Sequence, residues 1–262
     1  MKKLMFFFLL ILFSSCKKEV QKAVETIDEF SFLTEFDRVR NTKTNGGVLR
    51  IQNRLANFAA NPATDIATSV KLNATADFLD KVESVQINDY ELKLEGHRTV
   101  KKFSGSNRDF YGKEITLSFT APGAEERNGN TYGPYYIPEI MEADIPEENS
   151  MKVLKEGGTI TWNADPLNEL GVFIVIDYNT FENSDLREQH PNRQVEFEIV
   201  PDDGSYVFRR SDFPLIPAGA LVIVRIIRGA YDFIDLEDFS GDYEDDLLLL
   251  VNTESGGYAR FE

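Results

Sequence analysis

Hydrophobic and polar residues change their pattern twice along this chain. Residues 4–13 form an unbroken apolar run directly after Lys2 and Lys3. Residues 17–30 are highly charged and lack Gly and Pro. From residue 31 onward, short runs rich in β-branched and aromatic residues alternate with Asn, Gly, Asp and Pro, which is typical of strands joined by turns. The pattern predicts a leader, a short tether and an all-β body.

The first half of the body is predicted to contain short strands. Asn88 and Asp89 separate two of them and tolerate the positive φ angles of a two-residue hairpin turn. Residues 121–133 are rich in Gly and charge and poor in aliphatic side chains, so they predict a domain boundary, with the second half beginning at Pro134. The candidate strands are residues 48–51, 66–72, 82–87, 90–94 and 115–119.

The second half has the clearest strand pattern. Alternation over residues 159–162 places Ile160 and Trp162 on one face, which predicts that Trp162 packs in a core; the alternative is a ligand-stacking role. Residues 172–178 are almost continuously apolar, which predicts a strand buried on both faces. Further candidate strands are residues 195–200, 205–208 and 220–227, and residues 231–246 are interpreted as an acidic insertion.

The order of these parts is similar to that of a known class of module. A strand ending in Trp162, an apolar strand ending in Tyr178 and a Pro217-x-Gly219 turn into a long strand resemble a fibronectin type III or other immunoglobulin-like module over residues 151–262. The resemblance implies a β-sandwich with Trp162 between its two sheets. We therefore predict two immunoglobulin-like β-sandwich domains, residues 31–130 and 134–262. Whether they share one topology is open.

The leader ends in Ser14, Ser15 and Cys16, the only cysteine of the chain. Ten apolar residues are too few to span a bilayer, which needs about 20, and the ending resembles the lipobox of a bacterial lipoprotein. The resemblance implies a signal peptide over residues 1–15 and a tether over residues 16–30, whose Cys16 carries fatty acids such as palmitate and anchors the protein in the membrane. The alternative is an ordinary cleaved signal with an incidental thiol.

The residues after Cys16 bear on location. No Asp stands directly after it, in Lys17 to Glu19, which by resemblance to lipoprotein sorting implies the outer membrane, with the periplasmic or surface face left open. Lys17, Lys18 and Glu19 weakly resemble the surface-export signal of Bacteroidota lipoproteins, and the second half is similar to domains of uncharacterised Bacteroidota lipoproteins.

Composition excludes several classes of function. The formal net charge of −16 argues against nucleic acid as a partner. A single cysteine permits neither a disulfide nor a usual Cys/His zinc site. The chain contains no Gly-x-Ser-x-Gly elbow and no phosphate-binding loop. We therefore predict no catalytic residue.

An acidic stretch is the candidate metal site. Seven carboxylates lie within the twelve residues 235–246, and Ca²⁺ takes six to eight oxygen ligands from flexible loops of this kind. The alternative is a solvated hairpin loop. The candidate ligands are Asp235, Glu237, Asp238, Asp242 and Asp245. A weaker oxygen-rich candidate comprises Asn163, Asp165, Asn168 and Glu169.

Tyr132, Tyr135 and Tyr136 form the candidate binding site, interpreted as aromatic residues on a polar loop. Tyrosines in such a place can stack on sugars or form a protein-binding hot spot. The alternative is an interdomain hinge whose rings pack against both domains.

These features predict a lipid-anchored cell-envelope protein without catalytic activity, which binds or scaffolds a glycan or another envelope protein. The alternative is an envelope hydrolase such as a glycosidase, with or without the assistance of calcium, since glycoside hydrolysis needs only two suitably spaced carboxylates. Two converging Asp or Glu side chains in a cleft would favour that alternative.

Overall fold

The body of the chain is built almost entirely of β-strands, as the sequence predicts. The computed structural model describes residues 47–57, 67–74, 82, 84–92, 99–103, 110–120, 130–235 and 246–262. Within these residues the regular elements are sixteen strands and one short 3-10 helix, Arg210–Asp212. The leader, Cys16 and the tether lie outside the described residues.

Seven strands precede residue 140, and nine follow it. The first seven are β1 (Gly47–Asn57), β2 (Ala67–Ala74), β3 (Ser84–Ile87), β4 (Tyr90–Leu92), β5 (Thr99–Phe103), β6 (Lys113–Thr120) and β7 (Asn130–Ile137). The other nine are β8 (Ala143–Asp144), β9 (Glu147–Glu148), β10 (Met151–Leu154), β11 (Thr159–Trp162), β12 (Val172–Tyr178), β13 (Gln194–Val200), β14 (Ser205–Val207), β15 (Leu221–Asp235) and β16 (Asp246–Phe261).

A long hairpin of β15 and β16 is the centre of the largest sheet. The two strands pair antiparallel from Leu221 with Arg260 to Asp235 with Asp246, which at 3.3 to 3.4 Å per residue is about 50 Å. The nine-stranded sheet has the order β13-β12-β15-β16-β1-β2-β5, and β10, with β9 beside it, also pairs with β16. β1 and β10 pair parallel with different parts of β16. One hairpin therefore joins strands from both halves of the chain.

Two apolar cores lie on one face of this sheet. Leu249 and Val251 of β16 belong to the first core, while Ala259 and Phe261 of the same strand belong to the second. Because side chains on a strand alternate with a period of two, these odd-numbered positions share a face. Thr253 lies between them on that face, so a polar position separates the two cores.

Each core is completed by strands of a smaller sheet. The first contains buried residues from the sheet of order β4-β3-β6-β7, such as Ile87 and Leu117. The second contains Ile160 and Trp162 from the sheet of order β14-β11-β8. Trp162 is 7% exposed, which confirms its predicted inward orientation.

The sequence predicts strands and turns correctly where a single local pattern of residues dominates. All seven residues of β12 are buried, which confirms a strand covered on both faces. Asn88 has the positive φ of 51° that the predicted hairpin turn requires. Its side-chain oxygen accepts a hydrogen bond from the backbone N–H of Thr116 at 2.9 Å and so ties the turn to β6.

One segment differs from its prediction. Residues 231–235, interpreted as the start of an acidic insertion, continue β15, because they pair with residues 246–250 of β16. Their Ile234 is fully buried in the first core, with Leu247 opposite it. The first core therefore combines side chains from before and after residue 134. The immunoglobulin-like topology of two separate domains stays a prediction.

Gly256 allows β15 and β16 to approach each other closely. A Cβ atom at this position would overlap the carbonyl oxygen of Val224 and lie 3.1 Å from the Cα atom of Arg225. Since both atoms belong to backbone, the strands themselves would have to separate. We expect Gly256→Ala to lower the free energy of unfolding by about 3 kcal/mol or more, the upper range for overpacking, as measured by urea denaturation.

Gly157 is the matched control for this substitution. It has a positive φ of 76°, and a methyl group added there would have no atom within 4 Å, so only backbone strain opposes a side chain. We expect Gly157→Ala to cost about 1 to 2 kcal/mol. A smaller loss for Gly256→Ala than for Gly157→Ala would show that the hairpin is not tightly packed at Gly256.

Candidate functional site

A cleft opens where β15 loses its neighbour on one side. β12 pairs with β15 only as far as Arg228, and in the described part of the chain no strand pairs with that edge of β15 beyond this point. β7 lies against β15, and a cavity of about 120 Å³ remains between them. Its walls include Tyr135 and Tyr136 of β7 and Tyr231 and Asp232 of β15; Leu249 and Val251 of β16 also line it.

An irregularity in β7 determines where its tyrosines lie. Tyr135 pairs with Ile115 of β6, whereas Tyr132 pairs with Leu117, so β7 contains one more residue than β6 between these pairs. Gly133 takes up this bulge with a φ of 111°, which favours glycine. As a result Tyr132 and Tyr135 both pack against the first core. The ring of Tyr132 meets that of Phe119 edge-on, with 5.6 Å between centroids.

The predicted loop position of these tyrosines is wrong, because residues 130–137 form a strand that pairs with β6. All three tyrosines are partly buried. Tyr135 and Tyr136 line the cleft, and Tyr132 packs beside Tyr135 against the first core. Their role in binding a ligand stays a prediction.

The hydroxyl groups of the two cleft tyrosines differ in their surroundings. Burial, followed by the nearby charge of Asp232, raises the pKa of Tyr135 to about 12. Burial and a hydrogen bond to Asp165 also raise the pKa of Tyr136. The hydroxyl of Tyr136 donates to Oδ1 of Asp165 at 2.7 Å. Both side chains are therefore neutral phenols at physiological pH, and the hydroxyl proton of Tyr136 is already engaged.

A second, shallower depression lies beside β8 and β11. It has a volume of about 350 Å³, and its lining includes Glu142, Asp144, Thr161 and Trp162. Trp162 is largely enclosed in the second core, and its Nε1–H donates to Asp202 at 2.9 Å. Only a small part of the indole is therefore available to a ligand in the depression.

A buried ion pair lies between the two cores. Arg228 is fully buried, and Asp202 has a side chain that is 2% exposed. The guanidinium donates twice to Asp202, through Nε and Nη2. It also donates to the backbone carbonyls of Glu139 and Asn163. Arg228 thus holds the chain before β8, the loop after β11 and the turn after β13 in one place.

Asp202 accepts further hydrogen bonds from three residues of β11 and the loop that follows it. Trp162 donates at 2.9 Å, the side-chain amide of Asn168 at 2.8 Å and the backbone N–H of Asp165 at 3.2 Å. Burial alone would raise the pKa of Asp202. Hydrogen bonds from Arg228 and Asn168, together with the charge of Arg228, outweigh burial and hold the pKa below its usual value. The carboxylate is therefore ionised and saturated with donors.

The weaker oxygen-rich candidate belongs to this same junction. Asp165 accepts hydrogen bonds from Tyr136 and from the backbone N–H of Glu139, and Asn163 accepts one from the backbone N–H of Glu142. These oxygens organise the loop after β11. Among the described residues, no group of three or more His, Cys, Asp or Glu is arranged to hold a metal ion.

Most of the predicted calcium ligands follow the end of β15 in sequence. Glu237, Asp238, Asp242 and Asp245 lie outside the described residues, and Asp235 is the last residue of β15. The calcium site stays a prediction. Cys16 likewise lies outside the described residues.

Sequence reasoning did not identify Arg228, Asp202 or Asp232 as important. The sequence does contain a feature that marks Arg228 as unusual. It directly follows the apolar pair Ile226 and Ile227 and so interrupts a strongly hydrophobic strand. Its counter-charge lies 26 residues away, so no local pattern connects the two.

Comparison of the sequence with models of known protein families and with curated proteins finds no match. In the part of the chain that the structure describes, no helix has the length and hydrophobicity needed to cross a membrane. The described residues define the protein as a nearly all-β body with a small tyrosine-lined cleft.

Proposed function

We propose that this chain is a lipid-anchored binding or scaffolding protein of the bacterial outer membrane, without catalytic activity. Its partner is a glycan or another envelope protein. The lipobox-like ending at Cys16 supports the anchor, and the resemblance of residues 151–262 to immunoglobulin-like modules supports a binding role. The proposed architecture is that of two immunoglobulin-like β-sandwiches on a short tether.

The cleft between β7 and β15 is the observation that supports binding. Tyr135, Tyr136 and Tyr231 line it, and Asp232 is exposed beside it. Aromatic side chains combined with a few polar groups are typical of recognition sites for small groups. Phe233, 47% exposed, follows Asp232 and extends the apolar surface outside the cleft.

Photocrosslinking in the native envelope tests this proposal. We expect p-benzoylphenylalanine in place of Phe233 to form a discrete adduct with an envelope component, because this exposed residue directly follows Asp232, which lines the cleft. The adduct is detected as a mass shift of the full chain and identified by mass spectrometry. Its sugar or peptide content reports whether the partner is a glycan or a protein.

Phe181 is the matched control position. It is 83% exposed and follows β12 at the end where Tyr178 pairs with Val222, about 35 Å along β15 from Phe233. We expect no corresponding adduct from this site. Equal adducts from both positions, or none from Phe233, would contradict a partner at the cleft.

The hydrolase alternative can draw on one feature, the depression that Glu142 and Asp144 line. A pair of carboxylates is what glycoside hydrolysis requires. Shortening of an envelope glycan by the purified chain, lost on Glu142→Gln and on Asp144→Asn, would favour hydrolysis over binding.

A further inference from the structure

We propose that the cleft between β7 and β15 binds a substituted ammonium group. This inference names the ligand chemistry of the proposed binding site and rests on that proposed role. The group can come from a free alkylammonium solute or from a lysine side chain of an envelope protein.

The size of the cleft limits the ligand to a single chemical group. Its volume is about 120 Å³, which corresponds to roughly four water molecules at about 30 Å³ each. Sites for whole small molecules usually enclose about 300 to 1,000 Å³. A quaternary or alkylated ammonium head is of the right size, whereas a complete sugar ring with its hydroxyl groups is too large.

The apolar and aromatic residues of the lining favour a cation that carries apolar groups. Leu249 and Val251 lie at the apolar floor of the cleft, where they are almost fully buried. Tyr135 and Tyr136 contribute to the walls, and the electron-rich faces of aromatic rings attract cations, alkylammonium groups above all. A sugar would need several hydrogen-bonding groups for its hydroxyls, but the hydroxyl of Tyr136 already donates to Asp165. An alkylammonium group needs few hydrogen-bond partners.

The charges around the cleft have the sign that a cation requires. Asp232 supplies a carboxylate, and among the described residues that line the cleft none is basic. The guanidinium of Arg228 is buried and paired with Asp202, and its effect on the pKa of Tyr136 is opposed by the charges of Asp165 and Glu139. The negative charge of Asp232 is felt inside the cleft, since it contributes to the raised pKa of Tyr135. The net charge of −16 further raises the local concentration of cations.

The direct test compares a cation with its neutral isostere. The full chain, in an uncharged detergent, is titrated with choline and with 3,3-dimethylbutanol, which has the same shape without the charge, and binding is followed by calorimetry and ligand-observed NMR. We expect choline to bind with a Kd in the millimolar range and at least about tenfold more tightly than the neutral alcohol. Equal affinities would overturn the inference, because the site would then be merely hydrophobic.

Substitutions in the lining assign the binding to this cleft. We expect Asp232→Asn to weaken choline binding about tenfold, and Tyr135→Leu to weaken it at least about threefold. Asp89→Asn, in the exposed β3–β4 turn, is the matched control and should have no effect.

Separate outcomes overturn the inference and the proposed function. If Asp232→Asn binds choline as tightly as the parent chain, the cation is not held in the cleft. Thermal melting of each variant shows that it is folded, and Asp232 is exposed, so its replacement should leave the melting temperature unchanged. If sugars bind instead, in competition at Tyr135, the ammonium inference fails while the binding role stands. Choline binding without a crosslinked partner at position 233 would support the ammonium site and contradict the proposed envelope partner.

Two further probes distinguish the sources of the cation. Tetramethylammonium represents a free quaternary solute, and Nα-acetyl-lysine methylamide represents a lysine of a protein partner. Tighter binding of the first points to a small-molecule ligand, and tighter binding of the second points to an envelope protein. Failure of both to compete with choline would contradict a shared ammonium site.

Discussion

Asp202→Ala is expected to lower the free energy of unfolding by about 3 to 5 kcal/mol, the usual cost of leaving one member of a buried ion pair alone. Arg228 is fully buried and would lose its counter-charge. Trp162 and Asn168 would at the same time lose the acceptor of their hydrogen bonds. Urea denaturation at pH 7, with equal dependence on denaturant for both proteins, measures the difference.

A double substitution separates the charge from the geometry of the junction. Replacing Asp202 with Leu and Arg228 with Met removes both charges and fills the space with apolar atoms. Such replacements of buried ion pairs are often neutral or stabilising. We expect the double variant to be more stable than Asp202→Ala by at least about 2 kcal/mol. If it is no more stable, the hydrogen bonds to Trp162 and the loops, and not the unpaired charge, account for the loss.

The effect of Asp202 should depend on pH in a defined direction. The pKa of this carboxyl is lower in the folded chain than the ordinary value near 4 of an unfolded chain. Its contribution to stability is therefore complete above about pH 5 and is lost as the pH falls through the lowered folded-state pKa. We expect the stability gap between the parent chain and Asp202→Ala to narrow below about pH 4. A gap that widens on acidification would contradict the assignment.

The strands were predictable wherever burial imposes a simple alternation or a continuous apolar run. Residues 159–162 and 172–178 are examples, because each is dictated by the face or faces that it buries. The turn at Asn88 was equally predictable, since few residues accept its φ. These features depend on neighbours in sequence, and so a local pattern is sufficient to find them.

The long-range arrangement was not predictable in the same way. Gly133 and Pro134 suggested a loop, but the bulge opposite Thr116 accommodates both within β7. The predicted strand ended at residue 227, whereas β15 continues to Asp235 because β16 pairs with it throughout. Whether a charge ends a strand or lies buried within it depends on a partner such as Asp202, which is distant in sequence.

The candidate cleft shows the same limit. Tyr135 and Tyr136 could be singled out from the sequence as an aromatic cluster, but Asp232 could not be joined to them. About 100 residues separate the two groups, and they meet only because β15 lies against β7. Since the polarity of a site depends on all of its walls, its ligand chemistry could not be deduced from the tyrosines alone.

Cys16→Ala is expected to move essentially all of the protein from the membrane fraction to the soluble fraction. Each buried CH₂ group of an acyl chain contributes about 0.8 kcal/mol to membrane binding, and stable anchoring takes two or more signals, such as a second chain. Without these chains the apolar run of residues 4–13 is too short to span the hydrocarbon core. Fractionation of cells and incorporation of labelled palmitate are the two measurements.

Ser14→Ala is the matched control, because it keeps a small residue before Cys16 and leaves the acceptor thiol in place. We expect this variant to stay in the membrane fraction and to incorporate palmitate as the parent chain does. Loss of label from Cys16→Ala together with release into the soluble fraction would establish that the acyl chains hold the protein. If Cys16→Ala loses the label but remains bound to the membrane, another contact provides the anchor, and the partner at the cleft would then be the first place to look for it.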